Sequence, residues 1–130
     1  MVIWFWLFHT FTVAQTIDRI IDAFPAHQQS QVRQQIASSL EAVISQRLVR
    51  KNGGGRVAAF EVMSVNPAIR NLIRENKTYQ IDNIIQTTVN EGNMLIETSL
   101  VNLLNKGLIS KEDALRTAFR PDQLARLIGG

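Results

Sequence analysis

"QRLVRKNGGGRVAAFEVM", residues 46–63, decides where the chain turns back on itself. Two short stretches rich in Val and Phe flank Asn52 and three successive glycines, Gly53 to Gly55, which supply positive φ angles without steric cost. The pattern predicts a β-hairpin with strands near 47–50 and 56–62. On both sides of it apolar residues recur at spacings of three and four, the mark of amphipathic helices. The exception is the opening "MVIWFWLF", an unbroken apolar run that reads as a buried strand.

Upstream of the hairpin, Ile17, Ile20, Ile21 and Phe24 mark a helix that starts near Thr12 and stops at Pro25. Val32, Ile36, Leu40, Val43 and Ile44 continue the period, which predicts a second helix from about Gln28 to Ser45 with a glutamine-rich, solvated front. Downstream, Asn66 and Pro67 supply an N-cap and a first helical residue for a third helix ending near Asn76. Thr78 is expected to cap a fourth, with Ile81, Ile84, Ile85, Thr88 and Val89 as its apolar stripe up to Gly92. A fifth carries Ile96, Leu100, Leu103 and Leu104 and stops at Gly107. Ser110 with Asp113 resembles a capping box for the sixth, and Pro121 separates a last short helix around Gln123–Leu127. The expected fold is α/β but predominantly helical: a strand, two helices and a hairpin, then a bundle of short helices.

Composition narrows the function. At 130 residues the chain is one domain's worth, and 14 Lys and Arg against 11 Asp and Glu give a net charge of +3. The densest basic group, Arg47, Arg50 and Lys51, is thin for a nucleic-acid footprint, so no nucleic-acid partner is expected. The absence of Cys rules out disulfides and thiolate metal sites, and two His cannot form a metal site alone. The eight-residue apolar opening falls far short of the roughly 20 residues needed to span a bilayer.

The chain has no GxxxxGK[ST] loop to hold phosphate, and its glycine cluster is followed by Arg56 and a strand, not by Lys and a helix. No nucleophile and base stand in a recognisable local arrangement. His9 and Thr10 lie between a strand and a helix N-terminus, where α/β folds place ligand-contacting groups. An imidazole there is either a phosphate sensor or an ordinary packed or surface histidine. "AIRNLIRE", residues 68–75, sets Arg70 and Arg74 one turn apart beside Asn71 and Glu75, with Ile69, Leu72 and Ile73 on the other side. This block is either a solvated face, with Arg70 or Asn71 paired to Glu75 for a few tenths of a kcal/mol, or a docking surface rich in arginine donors. Glu91 and Glu97 read as ordinary solvated positions.

Together, "TVAQTIDRIIDAFP", "QVRQQIASSLEAVISQRLV", "GRVAAFEVM" and "NPAIRNLIRE" resemble the C-terminal part of the PilT-type twitching-motility ATPases, the type IV pilus retraction motors. The resemblance runs from about His9 to at least Gly107. It implies that residues 1–63 are the rear of a RecA-like ATPase core and residues 64–130 a helical C-terminal region. It also implies that Ala68, Ile69, Arg70, Asn71, Leu72, Ile73, Arg74 and Glu75 form the motif needed for retraction. "FHT" resembles the family's His box, so His9, with Thr10 beside it, is implied to sense the nucleotide; Phe11 stands where the family usually has Asn. Assembly and secretion motors of the wider family commonly carry paired CxxC zinc ligands after the "QRL" strand, where this chain has "KNGGG", which favours the retraction branch.

An intact member of that family is implied to be a cytoplasmic hexamer at the inner-membrane pilus platform protein, using ATP and Mg²⁺. The P-loop and the Mg²⁺-site carboxylates of the family precede the His box, so this chain is expected to be a fragment that binds no cofactor and hydrolyses no ATP alone. Its opening fits a shifted reading frame. Codons for the family-like strand "GHLVLA", GGT CAT CTG GTT TTG GCT, read one nucleotide later give Val-Ile-Trp-Phe-Trp-Leu, the residues Val2 to Leu7. The alternative function is a non-enzymatic helical module that binds an acidic protein or nucleic acid.

Overall fold

The computed structural model describes the backbone of Trp6–Phe8 and residues 11–129. Trp6–Phe8 forms strand β1; the remainder of the predicted opening strand, and its burial, lie outside the described residues. Helix α1 (Val13–Asp22) and helix α2 (Ala26–Ser39) lead to strands β2 (Ala42–Arg50) and β3 (Arg56–Ser64). Then come α3 (Pro67–Arg74), α4 (Ile81–Thr87), α5 (Ile96–Asn105), α6 (Lys111–Thr117) and α7 (Pro121–Leu127), with single 3-10 turns at Thr78–Gln80 and Val89–Glu91. The sheet order is β1-β2-β3, with β1 parallel and β3 antiparallel to β2.

The hairpin forms where expected and is longer, running in unbroken register from Ala42 opposite Ser64 to Arg50 opposite Arg56. Its turn closes through Lys51 N–H donating to the Gly55 carbonyl at 2.9 Å, and Gly53, Gly54 and Gly55 all adopt positive φ. The extra length comes from the predicted second helix, which ends at Ser39 and not near Ser45. Ile36, Leu40, Val43 and Ile44 fit a helical spacing, yet Leu40 is extended (ψ 129°), and from Val43 onward alternate residues face inward. Val43, Ser45 and Val49 are buried while Leu48 is exposed, a period of two imposed by the ladder with β3.

The fourth helix is also shorter than its stripe. Thr78 does not cap it: its hydroxyl donates to both carboxylate oxygens of Asp18 on α1, at 2.8 and 3.0 Å, and a 3-10 turn starts there instead. Helix α4 ends at Thr87, and Val89 sits exposed on the following turn before Gly92 (φ 89°).

The hairpin serves two apolar clusters. Near its base, Val43 and Met63 pack with Val13, Ile17 and Ile21 of α1, Ile69 and Ile73 of α3, and Ile81 and Ile85 of α4. Near its tip, Val49 and Ala59 pack with Ile96, Leu100 and Leu103 of α5, Ala114 of α6 and Leu124 of α7. No described helix is long and apolar enough to cross a membrane.

Candidate functional site

Helix α3 is closed at both ends by its own sequence. Asn66 Oδ1 accepts the Ile69 N–H at 2.9 Å, and Pro67 takes the first helical position, where no N–H is needed. At the other end Asn76 turns left-handed (φ 60°), Lys77 N–H reaches back to the Leu72 carbonyl at 2.8 Å, and Asn76 N–H to that of Ile73 at 3.2 Å. This is the Schellman arrangement, which satisfies carbonyls that would otherwise lack donors.

The eight motif residues divide by what they touch. Ile69 and Ile73 are fully buried, and Leu72 packs partly buried against the same cluster. Arg70 points back to α2: its Nη1 donates to the carbonyls of Ala37 and Leu40, at 2.7 and 2.9 Å, and its Nη2 to Glu41 Oε1 at 3.4 Å. The guanidinium therefore caps the C-terminal end of α2, and the Arg70–Glu75 pairing that the solvated-face reading offered does not form. Glu75 pairs with Lys77 at 3.3 Å instead. Ala68, Asn71, Arg74 and Glu75 remain exposed, with Arg74 Nη1 donating weakly to Asn71 Oδ1 at 3.4 Å. This outer face offers a guanidinium, an amide and a carboxylate.

His9 and Thr10 lie outside the described residues. The segment that follows them is held at successive positions. Ser45 Oγ donates to the Phe11 carbonyl at 3.0 Å, and the Arg19 guanidinium lies 4.1 Å from the centre of the Phe11 ring. Thr12 forms a capping box with Gln15, and Val13 N–H donates to Glu61 Oε2 at 2.9 Å.

Glu61 opens onto a buried charge cluster that the sequence reading missed. Its Oε1 accepts from Ile96 N–H at 3.1 Å and from Arg120 Nη1 at 2.9 Å. Glu97 Oε2 accepts the N–H groups of Phe119 and Arg120, at 3.0 and 3.1 Å, and its Oε1 accepts Arg120 Nη1 at 2.6 Å. Arg120 Nε donates to Asp82 Oδ2 at 2.9 Å. Glu61 and Glu97 are both 0% exposed, so Glu97 is not the solvated residue that was expected. The cluster explains how α5 and α7 start without capping side chains of their own: Glu61 and Glu97 do that work from a distance. Burial pushes the Arg120 pKa down, and the hydrogen bonds and charges of Glu61 and Asp82 push it up by more, so the guanidinium titrates above its ordinary range. One signal pointed here: Glu61 alternates with Ala59 and Met63 on the inward face of β3, and a carboxylate at such a position requires partners.

Arg120 and Asp82 also border a cavity of about 380 Å³ together with Thr12, Gln15, Asp18 and Tyr79. The glycine turn at the hairpin tip forms no phosphate cradle, because Asn52 N–H and its side-chain amide are spent on the Leu108 and Gly107 carbonyls and a strand follows. Among the described residues no group of three or more acidic or histidine side chains could hold a metal ion.

With this geometry in view, known proteins supply the comparison. No family model matches the chain. The type IV pilus retraction ATPase PilT of Pseudomonas aeruginosa is 49% identical over 114 residues, covering 88% of this chain and 33% of that protein. The twitching motility protein of Neisseria gonorrhoeae is 45% identical over 118 residues, covering 90% of this chain and 32% of its own length. A crystal structure of the pilus retraction motor PilT with bound ADP superposes with a TM-score of 0.80 at 45% identity, over 91% of this chain and 33% of that one. Over most of its length the chain is similar to one part of the pilus retraction ATPases. It spans about a third of the length of the curated relatives it matches. The Legionella pneumophila ATPase DotB superposes with a TM-score of 0.66 at 22% identity, a likeness of fold alone.

Proposed function

We propose that this chain is the C-terminal part of a type IV pilus retraction motor and that α3 is its docking surface. The observation that carries the reading is the match to the ADP-bound retraction motor, at 45% identity and a TM-score of 0.80 over 91% of the chain. In the intact protein, residues 1–63 close the rear of a RecA-like ATPase core and residues 64–130 form the helical C-terminal region. The motor is a cytoplasmic hexamer at the inner-membrane pilus platform, where ATP hydrolysis with Mg²⁺ drives pilus disassembly. His9, with Thr10, senses the nucleotide that other parts of the intact protein hold. The chain alone does not hydrolyse ATP. The functions of the relatives speak for a motor, and no observation favours the adaptor reading.

Helix α3 supports a division of roles within the motif. Ile69, Arg70, Leu72 and Ile73 hold the helix in place, while Ala68, Asn71, Arg74 and Glu75 face the partner. The test is Arg74→Ala together with Asn71→Ala in a full-length motor. The expected result is assembled pili, intact rings and no retraction. Normal twitching by that double variant would overturn the docking role, and ATP turnover by the purified 130-residue chain would overturn its inactivity.

A further inference from the structure

Helices α2 and α3 are set apart from the other helices by their charge. Between them they carry Arg33, Arg70 and Arg74 and no Asp or Glu, whereas every other α-helix among the described residues has at least one carboxylate. The two helices also lie together. Val65 N–H donates to the Glu41 carbonyl at 2.9 Å, so α3 starts beside the end of α2 and then packs along it in the opposite sense. Arg70 binds the Ala37 carbonyl. Arg33 stands one turn before Ala37, and Arg74 one turn after Arg70, which brings both to the same stretch of the paired helices.

We propose that this α2–α3 surface receives a carboxylate-rich segment of a protein partner, with Arg33 of α2 and Arg74 of α3 as its cationic contacts. The proposal rests on the docking role of α3 and adds to it the chemistry of the partner and a residue outside the motif.

The charge of these two arginines is unanswered. The carboxylates that border α3 are engaged: Glu41 by Arg70, Glu75 by Lys77 and Glu91 by Asn66, at 3.0–3.4 Å. Among the described residues neither Arg33 nor Arg74 forms an ion pair. Arg33 Nε is moreover buried without a hydrogen-bond partner, an uncommon state for a charged donor. The exposed neighbours are amides and a hydroxyl, Gln31, Gln34, Gln35 and Ser38 on α2 and Asn71 on α3. Such groups both donate and accept, which suits a peptide backbone. Other anions would lack their usual contacts. Neither helix has an aromatic side chain on which a nucleic-acid base could stack, and neither exposes a large apolar side chain that could enter a bilayer. A protein surface of opposite charge is the complement that remains.

The test is Arg33→Glu in a full-length motor. Rings and basal ATP turnover are expected to persist while retraction is lost, and Arg33→Lys, which keeps the charge, should still retract. Normal retraction by Arg33→Glu overturns the proposal, and so does a loss in Arg33→Lys as complete as in Arg33→Glu. If Arg33→Glu fails to fold, Ser30→Glu decides. Ser30 is exposed three residues before Arg33, and a carboxylate there pairs with Arg33 on the surface of the helix without disturbing a buried atom. That variant should slow retraction, and unimpaired retraction overturns the proposal.

The class of partner is read by titrating poly-L-glutamate into the full 130-residue chain and following amide resonances. Those of Arg33, Asn71 and Arg74 are expected to move before those of Arg50 and Arg56 at the hairpin tip, and Arg33→Gln to weaken the binding about threefold. If a DNA duplex or phosphatidylglycerol vesicles move these amides and polyglutamate does not, the carboxylate partner is overturned. Failure of the docking role itself looks different. Arg74→Ala with Asn71→Ala would then twitch normally, whereas failure of this proposal alone leaves that double variant unable to retract and Arg33→Glu able.

Discussion

Arg120 and Arg74 are both arginines near acceptors, in opposite surroundings. Arg120 reaches Glu61, Glu97 and Asp82 at 2.6–2.9 Å, and two of those carboxylates are 0% exposed. Arg74 stands on the outer face of α3 with only the Asn71 amide at 3.4 Å. The first arrangement uses charge to hold helix starts together, and leaves only Arg120 Nη2 and Asp82 Oδ1 of its buried atoms without a hydrogen-bond partner. The second leaves its donors available and contributes little to holding the fold. Charge that stabilises and charge that recognises are thus kept in different places, and Arg70, bound to the end of α2 yet 23% exposed, stands between them.

The sharpest way to break this contrast is Arg120→Met. It strands two buried carboxylates without their cation, for an expected loss of about 3–5 kcal/mol in urea unfolding. A loss below about 1 kcal/mol, the range of exposed pairs, would erase the distinction from Arg74. Next, Ile73→Ala beneath α3 should cost about 3 kcal/mol through the cavity it leaves. In a full-length motor it should lower protein abundance before it alters retraction. Arg70→Met should cost about 1 kcal/mol, because two α2 carbonyls lose their charged donor but keep access to water. The smallest effect is that of Arg74→Ala, expected to leave the unfolding midpoint where it was and to act only on retraction. Alkali should not release the buried cluster either. The folded-state pKa of Arg120 is raised, so its stabilisation is fully present below the ordinary arginine range, and the midpoint should show no Arg120-linked step up to about pH 11.

What the sequence disclosed follows the range of the interactions. Thr12, Asn66 and Ser110 cap their helices three residues ahead, so a local pattern was enough to find them. The caps that Glu61 and Glu97 supply to α5 and α7 come from 35 and 22 residues away, and no local pattern marks either helix as needing them. Thr78 is the converse case: a suitable local cap whose hydroxyl is drawn to Asp18, 60 residues distant. The sequence misplaces the end of α2 because Leu40, Val43 and Ile44 continue the helical spacing of Ile36, and only pairing with β3 selects the strand. For the candidate site, the α3 motif and its apolar side were legible. That Arg70 belongs to the scaffold was not, because its partners, the Ala37 and Leu40 carbonyls, are backbone atoms on another helix.

The hairpin tip has a practical consequence. Gly53, Gly54 and Gly55 are exposed, while the strands they join remain paired over nine positions, from Ala42 opposite Ser64 to Arg50 opposite Arg56. Asn52 is fastened separately to the loop after α5. A cut among the glycines would sever the chain without removing a rung of the ladder, so the two pieces should stay associated, or find each other again when made apart. The tip is thus a natural place to split the protein into complementing halves, or to splice in a reporter.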